Sequence, residues 1–333
     1  MNTILICLLA ILVIGLAVIA ACYLRDIRAA RKRLESLGSR LIETSCGPIE
    51  AAVAGEGYPV LVVHGAIGGF DQGLFLARNL PLPNIQVISI SRFGYLRTPV
   101  PQGATLDTQA DAYASLLDAL GIRQAAVFAV SAGSTSALRF VARHPQRVSA
   151  LVLLSPDAPG EVYMKLPPRF VFDVLFRSDL FYWAMVTFFK KQVRTAFGLV
   201  PKGTVLTPQD AAIVDNVLVG DLPAGERMDG IVFETYTYEH EFKVFLTPAN
   251  RFPLSRIETP ALVLNAADDP ISLPANVGTL AGQLPNARQV IVPDGGHLFF
   301  GHAEEVRAEI ADFLRSHVAE LQGRPVMPGG GAA

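Results

Sequence analysis

Three loop residues in this chain have the types and surroundings that acyl-transfer chemistry would need. Ser131 stands in Phe128-Ala129-Val130-Ser131-Ala132-Gly133, where a short apolar run turns directly into a helical pattern. A serine hydroxyl is a weak nucleophile at neutral pH and attacks a carbonyl only when a neighbouring base takes its proton. The small residues around Ser131 fit a sharp turn with a strained backbone, where bulk would clash; a serine that only caps the next helix would not need them. Candidates for an acid and a base lie downstream, in Asn265-Ala266-Ala267-Asp268-Asp269-Pro270 and in Pro293-Asp294-Gly295-Gly296-His297. Of the six histidines, His297 follows two glycines in a loop after the last apolar run, whereas His302 begins a helix, His317 lies on it, and His144 and His240 stand elsewhere. Upstream, His64-Gly65-Ala66-Ile67-Gly68-Gly69 follows Val62-Val63, and its glycines let the backbone turn and aim amide groups at an anion. His64 itself reads as structural.

These residues can act together only if a fold converges them. Short β-branched runs alternate with amphipathic segments, the pattern of a parallel sheet covered by helices. Candidate buried strands are residues 60–63, 87–90, 126–130, 150–154, 261–264 and 289–292. The segment from Thr108 to Leu120 predicts a helix with Tyr113, Leu116, Leu117 and Leu120 on one face and a stop at Gly121. Val306, Ile310, Phe313 and Leu314 predict another. Each chemistry-bearing loop follows a strand, and open α/β sheets bind ligands at the carboxyl ends of their strands. From about Gly160 to Leu254 this rhythm breaks, so residues 161–254, rich in Phe, Tyr and Pro, read as an inserted helical cap. Aromatics from Tyr163 through Phe170, Phe172, Phe176, Phe181, Tyr182, Trp183 and Phe188 to Phe189 crowd its first part; most are expected to pack the cap and the remainder to line an apolar pocket. Residues 322–333, with three consecutive glycines, read as a disordered tail.

With Ser131 at the apex, residues 129–133 match the nucleophile elbow G-x-S-x-G, except that Ala129 replaces the first glycine. Serine, acid and histidine then follow in the order Ser131, Asp269, His297. On these residues the chain resembles the α/β-hydrolase fold superfamily, from about Ile49 to Leu321. The resemblance implies an α/β fold with a mostly parallel central sheet flanked by helices, its core formed by residues 49–160 and 255–321. It implies a triad in which Ser131 attacks, His297 serves as base and Asp269 orients the imidazole. It also implies an oxyanion hole built from the backbone amides of Ala66 and Ala132. In that family the acid commonly stands three residues after a glycine; Ala266 holds the glycine position, which selects Asp269 over Asp268. Asp157, after the strand that follows the elbow, occupies the place of the acid in some relatives and is the alternative. The expected activity is hydrolysis of a carboxylic ester or thioester with an apolar acyl or aromatic group, through an acyl-enzyme and with no metal or organic cofactor. Carbon–carbon bond hydrolysis by the same triad is one alternative, and a slow-turnover ligand receptor or signalling protein is another.

The N-terminal segment carries a separate signal. From Thr3 to Leu24 there is no charged residue, and about 20 apolar residues span a bilayer, so residues 3–24 read as a transmembrane anchor. No Lys or Arg precedes the run, unlike in a cleavable signal peptide. Arg25, Arg28, Arg31, Lys32 and Arg33 follow, within a stretch over residues 25–48 expected to be a basic juxtamembrane linker and the start of the domain, and place the catalytic part on the cytoplasmic side. Ile19-Ala20-Ala21-Cys22 also resembles a lipobox, which gives the alternative of a lipoprotein acylated at Cys22. Neither the apolar run nor the basic segment offers a catalytic group, so removal of residues 1–35 is expected to leave hydrolysis of a short ester nearly unchanged. A formal net charge of -2 supplies no basic field for nucleic acid. Cys7, Cys22 and Cys46 have no disulfide or metal spacing. The expected partners are thus an apolar ester-like substrate and a membrane, with the oligomeric state left open.

Overall fold

The apolar runs pair into one eight-stranded sheet: β1 Arg40–Ile42, β2 Ile49–Ala54, β3 Tyr58–Val63, β4 Ile85–Ile90, β5 Ala125–Val130, β6 Val148–Leu154, β7 Ala261–Ala266 and β8 Ala287–Val292. The computed structural model describes residues 3–78, 80–158, 170–196, 199–201, 204, 206–235 and 254–318. The strand order is β1-β2-β4-β3-β5-β6-β7-β8. From β4 across to β8 every neighbouring pair is parallel, and β1 and β2 add an antiparallel edge. After β3 the chain goes outward to β4 and then returns past β3 to β5, with Val63 paired to Ala129. Such a reversal opens a crevice between neighbouring loops at the carboxyl ends of the strands. The loops after β3 and β5 flank that crevice.

All six expected strands are present, and each extends beyond the run that predicted it. The antiparallel β1 and β2 were not among them. β1 has only three residues, and β2 carries Glu50, 2% exposed and held by Arg97 at 2.7 Å, a charge that breaks the apolar pattern. Alternation along the strands divides the core into two layers. Leu61, Val63, Val127, Ala129, Leu151 and Leu153 face α3 (Leu106–Ala119), α4 (Gly133–Arg143) and α9 (Pro274–Gln283). Val60, Val62, Phe128, Val152 and Leu264 face α2 (Phe70–Arg78) and α10 (Ala303–His317). The helix expected over 108–120 is α3, capped at Thr105, whose side chain accepts from the Thr108 amide while Thr108 returns the bond.

Between β6 and β7 the described chain is helical: a π-helical turn at Val171–Phe176, then α5 (Asp179–Phe188), α6 (Lys190–Ala196), α7 (Pro208–Gly220) and α8 (Met228–Phe233). Tyr163, the rest of the expected cap and the tail at 322–333 lie outside the described residues. At the other end, α1 (Thr3–Ser36) is one unbroken helix, long and apolar enough to cross a membrane. Its apolar side chains are exposed up to Ala21, Cys22 and Tyr23 are half-buried, and Ile27 and Ala30 are buried in one cluster with Tyr182, Trp183 and Val186 of α5. Asp26 accepts a hydrogen bond from the Trp183 indole at 2.9 Å. Arg33 donates to Asp71 at 2.9 Å and to the Gly220 carbonyl at 2.6 Å. The stretch expected as a linker thus begins as a docked helix.

Candidate active site

Strand β5 delivers Ser131 to the crevice. Its φ of 49° lies in the left-handed region, where a non-glycine residue costs about 1–3 kcal/mol and persists only when its surroundings hold it. They do so here: the Ser131 amide donates to Leu154 O at 2.9 Å, and its carbonyl accepts from Ser134 and Asp157 amides at 2.9 and 3.1 Å. The turn needs Gly133, since a Cβ there would stand 2.3 Å from the His64 carbonyl oxygen. Ala129, in the place of the motif's first glycine, is completely buried without disturbing the strand. The Ser131 hydroxyl has no hydrogen-bond partner among the described residues and faces the cavity described below.

His297 comes from the loop after β8. Gly295 and Gly296, at φ 103° and 60°, turn the chain sharply before it. Its Nδ1 meets Asp269 Oδ2 at 2.9 Å and Oδ1 at 3.2 Å, which leaves Nε2 toward the cavity side. Asp269 is fixed in turn by the Ile271 and Ser272 amides, which donate to Oδ1 at 2.8 and 2.9 Å. Asp268 instead accepts from the Gly296 amide at 2.8 Å and so braces the histidine loop. Asp157 follows β6 and makes no hydrogen bond to His297 among the described residues. Water reaches its side chain, yet surrounding protein raises its pKa, with the charge of His297 opposing. Two serines without a signal in the sequence complete the support. Ser272 donates to the Ser155 carbonyl at 2.7 Å and lies 3.4 Å from His297 Nδ1, and Ser155 donates to the His297 carbonyl at 3.0 Å.

The loop after β3 is held from several directions. His64 is wholly buried; its Nε2 accepts from the Arg92 amide at 3.1 Å, so Nδ1 carries the proton and donates to Gly65 O at 2.7 Å. Burial, and next the charge of Arg92, hold this imidazole well below its usual pKa, which fits a neutral structural role. The Gly65 amide donates to Gln72 Oε1 at 2.7 Å. The next amide, that of Ala66, has no partner among the described residues, and neither has that of Ala132 at the start of α4. Both belong to loops at the crevice, where such free donors suit an oxyanion.

A buried ionic cluster locks this loop to the helical insertion. Arg227, at the entry to α8 and 0% exposed, donates to Gly68 O at 2.6 Å, to both Asp71 oxygens at 3.1 Å and to Gly220 O at 3.2 Å. Burial alone would raise the Asp71 pKa, but Arg227 and Arg33 outweigh it and leave it below the usual carboxylate range. Beside it, Arg92 is paired with Glu234, which also accepts from the Tyr95 hydroxyl at 2.8 Å. Burial lifts the Glu234 carboxyl to about 7 against the pull of Arg92. Asp71 and Gln72 could have been noticed as polar residues directly after a glycine loop. Arg227 and Glu234 carry no such local signal.

A cavity of about 550 Å³ opens from this site. Ser131, His297 and Ala66 stand in its wall, and Phe75, Leu76, Leu80, Ile213, Val217 and Ile310 are among the apolar residues that line the rest. Gln72, Arg307, and Tyr182 with Asp221, joined by a 3.2 Å hydrogen bond, are polar exceptions. Burial raises the Asp221 pKa well above the usual carboxylate range. Of the expected cap aromatics only Tyr182 lines this cavity among the described residues, while Phe172 and Trp183 are packed inside the insertion and Phe181 and Phe188 are exposed. Among the described residues no group of three or more His, Cys, Asp or Glu could hold a metal ion.

The uncharacterized hydrolase YcgS of Bacillus subtilis is 33% identical over 138 residues, 41% of this chain, which spans about half (48%) of that relative. The 2-hydroxymuconate semialdehyde hydrolase of Pseudomonas putida is 25% identical over 278 residues, 78% of this chain and 88% of that protein. Among solved structures, an alpha/beta hydrolase fold protein from Nakamurella multipartita superposes with a TM-score of 0.69 at 26% identity, covering 84% of this chain and 99% of the other. The alpha/beta hydrolase fold family matches residues 58–303, which takes in the strained serine, the acid and the histidine alike, and the chain therefore belongs to that family.

Proposed function

We propose that this hydrolase cleaves a carboxylic ester or thioester with an apolar acyl group, with Ser131, His297 and Asp269 as its triad. The observation that carries this reading is His297, held by Asp269 through Nδ1 and lining the same cavity as the strained Ser131. His297 Nε2 takes the Ser131 proton as Oγ attacks the carbonyl carbon, and the resulting oxyanion lies against the Ala66 and Ala132 amides. The tetrahedral intermediate collapses, the leaving alcohol or thiol departs with the proton from His297, and water repeats the sequence to free the acid. No Ser131–His297 hydrogen bond forms among the described residues; such contacts commonly tighten only when substrate is bound. Asp268 and Asp157 take no part in the relay.

The acyl preference follows from the wall of the cavity, which offers aliphatic and phenyl surface to a chain. Carbon–carbon hydrolysis is the second reading, favoured by the Pseudomonas putida relative, whose named substrate contains no ester. The wall is mostly apolar, with Arg307 as the sole Arg or Lys among the described lining residues, which favours the ester. In this reading residues 161–254 act as a cap over the site. Helix α1 anchors the protein as a single span, with the catalytic part on the cytoplasmic side of its basic turn segment. Cys22 sits within the unbroken helix and packs against the insertion, which supports the span over acylation at that residue. A panel of p-nitrophenyl esters of rising chain length, run beside a vinylogous diketone, tests the substrate class. Turnover should favour the longer esters and vanish in Ser131→Ala; preference for the diketone would reverse the ranking.

A further inference from the structure

Helix α5 presents a packing problem. Its residues from Leu180 to Phe188 carry no charge, and apolar side chains run around its whole circumference. A helix apolar on every side is either wrapped by protein or placed in lipid. One side is wrapped: Tyr182, Trp183 and Val186 are buried in the cluster that contains Ile27 and Ala30 of α1. The opposite side is open. Phe181 and Phe188 lie seven residues, about two turns, apart on the same face and are 40% and 56% exposed. Leu180 and Phe189 flank them, and Phe170 and Val174 add an exposed pair one turn apart just before. Single exposed apolar residues are ordinary, but six large ones within twenty residues mark a contact surface.

The position of α1 tells what this surface meets. The Trp183 indole donates to Asp26, and its ring lies edge-on to Tyr23 at 5.6 Å on one side and to Phe188 at 5.6 Å on another. Asp26 is the second charged residue after the apolar run, and the helix rises only about 3 Å from Leu24 to reach it. Helix α5 is therefore clamped beside the point where α1 leaves the hydrocarbon, within the headgroup layer of about 5–8 Å. Lys190 and Lys191 follow Phe189 directly, and aromatic residues next to basic ones suit that layer.

We propose that the outer face of α5, together with Phe170 and Val174, is a second membrane contact, seated in the acyl–headgroup boundary of the bilayer that α1 spans. The proposal rests on reading α1 as a membrane span. Lipid rather than a second protein copy occupies the face because the surface is continuous with the spanning helix and edged by cations. Two contacts then fix the orientation of the hydrolase on the bilayer. Tyr182, on the inner side of α5, lines the cavity of Ser131, so one helix separates that cavity from lipid, an arrangement suited to acyl esters that arrive from the membrane.

The chain contains a single tryptophan, which makes the test direct. The full chain carrying Trp183→Phe and Phe188→Trp is reconstituted into phosphatidylcholine vesicles with a minor fraction of phosphatidylglycerol. The tryptophan at position 188 should emit at short wavelength and be quenched several-fold when the acyl chains carry bromine near the headgroup. Water-like emission, or short-wavelength emission indifferent to bromine as protein burial would give, overturns the proposal if the protein survives a carbonate wash. Loss of the protein in that wash overturns the span itself. In the chain that keeps Trp183, Phe181→Asp with Phe188→Asp should lower hydrolysis of a vesicle-borne long-chain ester several-fold and leave a soluble short ester unchanged. Equal rates on vesicles, or equal loss on both substrates, would count against the second contact.

Discussion

Cutting the chain before Arg25 and cutting it before Ser36 should yield two proteins of very different stability. The first cut removes exposed apolar helix and, at its end, the half-buried Cys22 and Tyr23. The second also strips Ile27 and Ala30 from the α5 cluster, the Asp26 bond to Trp183, and the Arg33 bonds to Asp71 and Gly220 O. Burial of an isoleucine is worth about 1.5–3 kcal/mol. The bond to the buried Asp71 carboxylate adds about 1.5 kcal/mol, the low end of its range because Arg33 is itself part-exposed. The indole bond adds about 1 kcal/mol. Together these amount to about 5 kcal/mol, a large share of a typical stability of about 5–15 kcal/mol. At about 2 °C per kcal/mol for a domain of this size, the melting temperature should fall by about 10 °C between the two truncations. Thermal unfolding of both in one buffer, with short-ester turnover measured at 25 °C as a check on folding, reads this directly. Melting temperatures within a degree or two of each other would show that residues 25–35 do not stabilise the domain. The clean separation at residue 35 expected from sequence would then stand.

Arg227→Met should destabilise by about 3–5 kcal/mol, because it leaves Asp71 with Arg33 alone, and should slow turnover by freeing the Gly68 carbonyl. Combined with Asp71→Ala the loss should fall well short of the sum; denaturant unfolding that finds additivity within about 0.5 kcal/mol would dismiss the coupling. Glu234 gives a pH signature. Its pKa is raised to about 7 in the folded protein against an ordinary 4.5, so the folded state binds the extra proton between these values. Stability should be fully present below about pH 4.5 and decline as pH rises through about 7, by about 3 kcal/mol at about 1.4 kcal/mol per pH unit. Glu234→Gln should lack this slope, and matching slopes in the two chains at pH 5 to 8 would mean that Glu234 stays ionised against Arg92.

Much of the fold could be read because it depends on local apolar runs. The central strands are fully covered by helices, so β3 and β5 to β7 announce themselves as Val, Leu and Ala sequences. β2 hides because Glu50 is buried by ion pairing with Arg97, a contact 47 residues away. The loop residues of the site were legible for a related reason: strain at Ser131 demands small neighbours, and the turn before His297 demands glycines, and both leave a mark within a few residues. Support for those loops left no mark. Arg227 reaches Asp71 across 156 residues, and Ser272 reaches Ser155 across 117, so neither bond can be inferred from spacing. The continuation of α1 past Leu24 was hidden for another reason. The charges after Leu24 look like a solvated linker, but Arg31 and Arg33 are spent on Asp179, Glu226 and Asp71, and the helix continues beneath them.

Fluorophosphonate labelling of the full chain, followed by peptide mapping, interrogates the proposed triad without a choice of substrate, because the reagent reports an activated serine wherever it lies. One modified residue is expected, Ser131, with labelling abolished in Ser131→Ala and slowed by several orders of magnitude in His297→Ala and Asp269→Asn, since triad residues act as a unit. Modification at another serine, or undiminished labelling of the Asp269→Asn chain alongside its loss in Asp157→Asn, would contradict it.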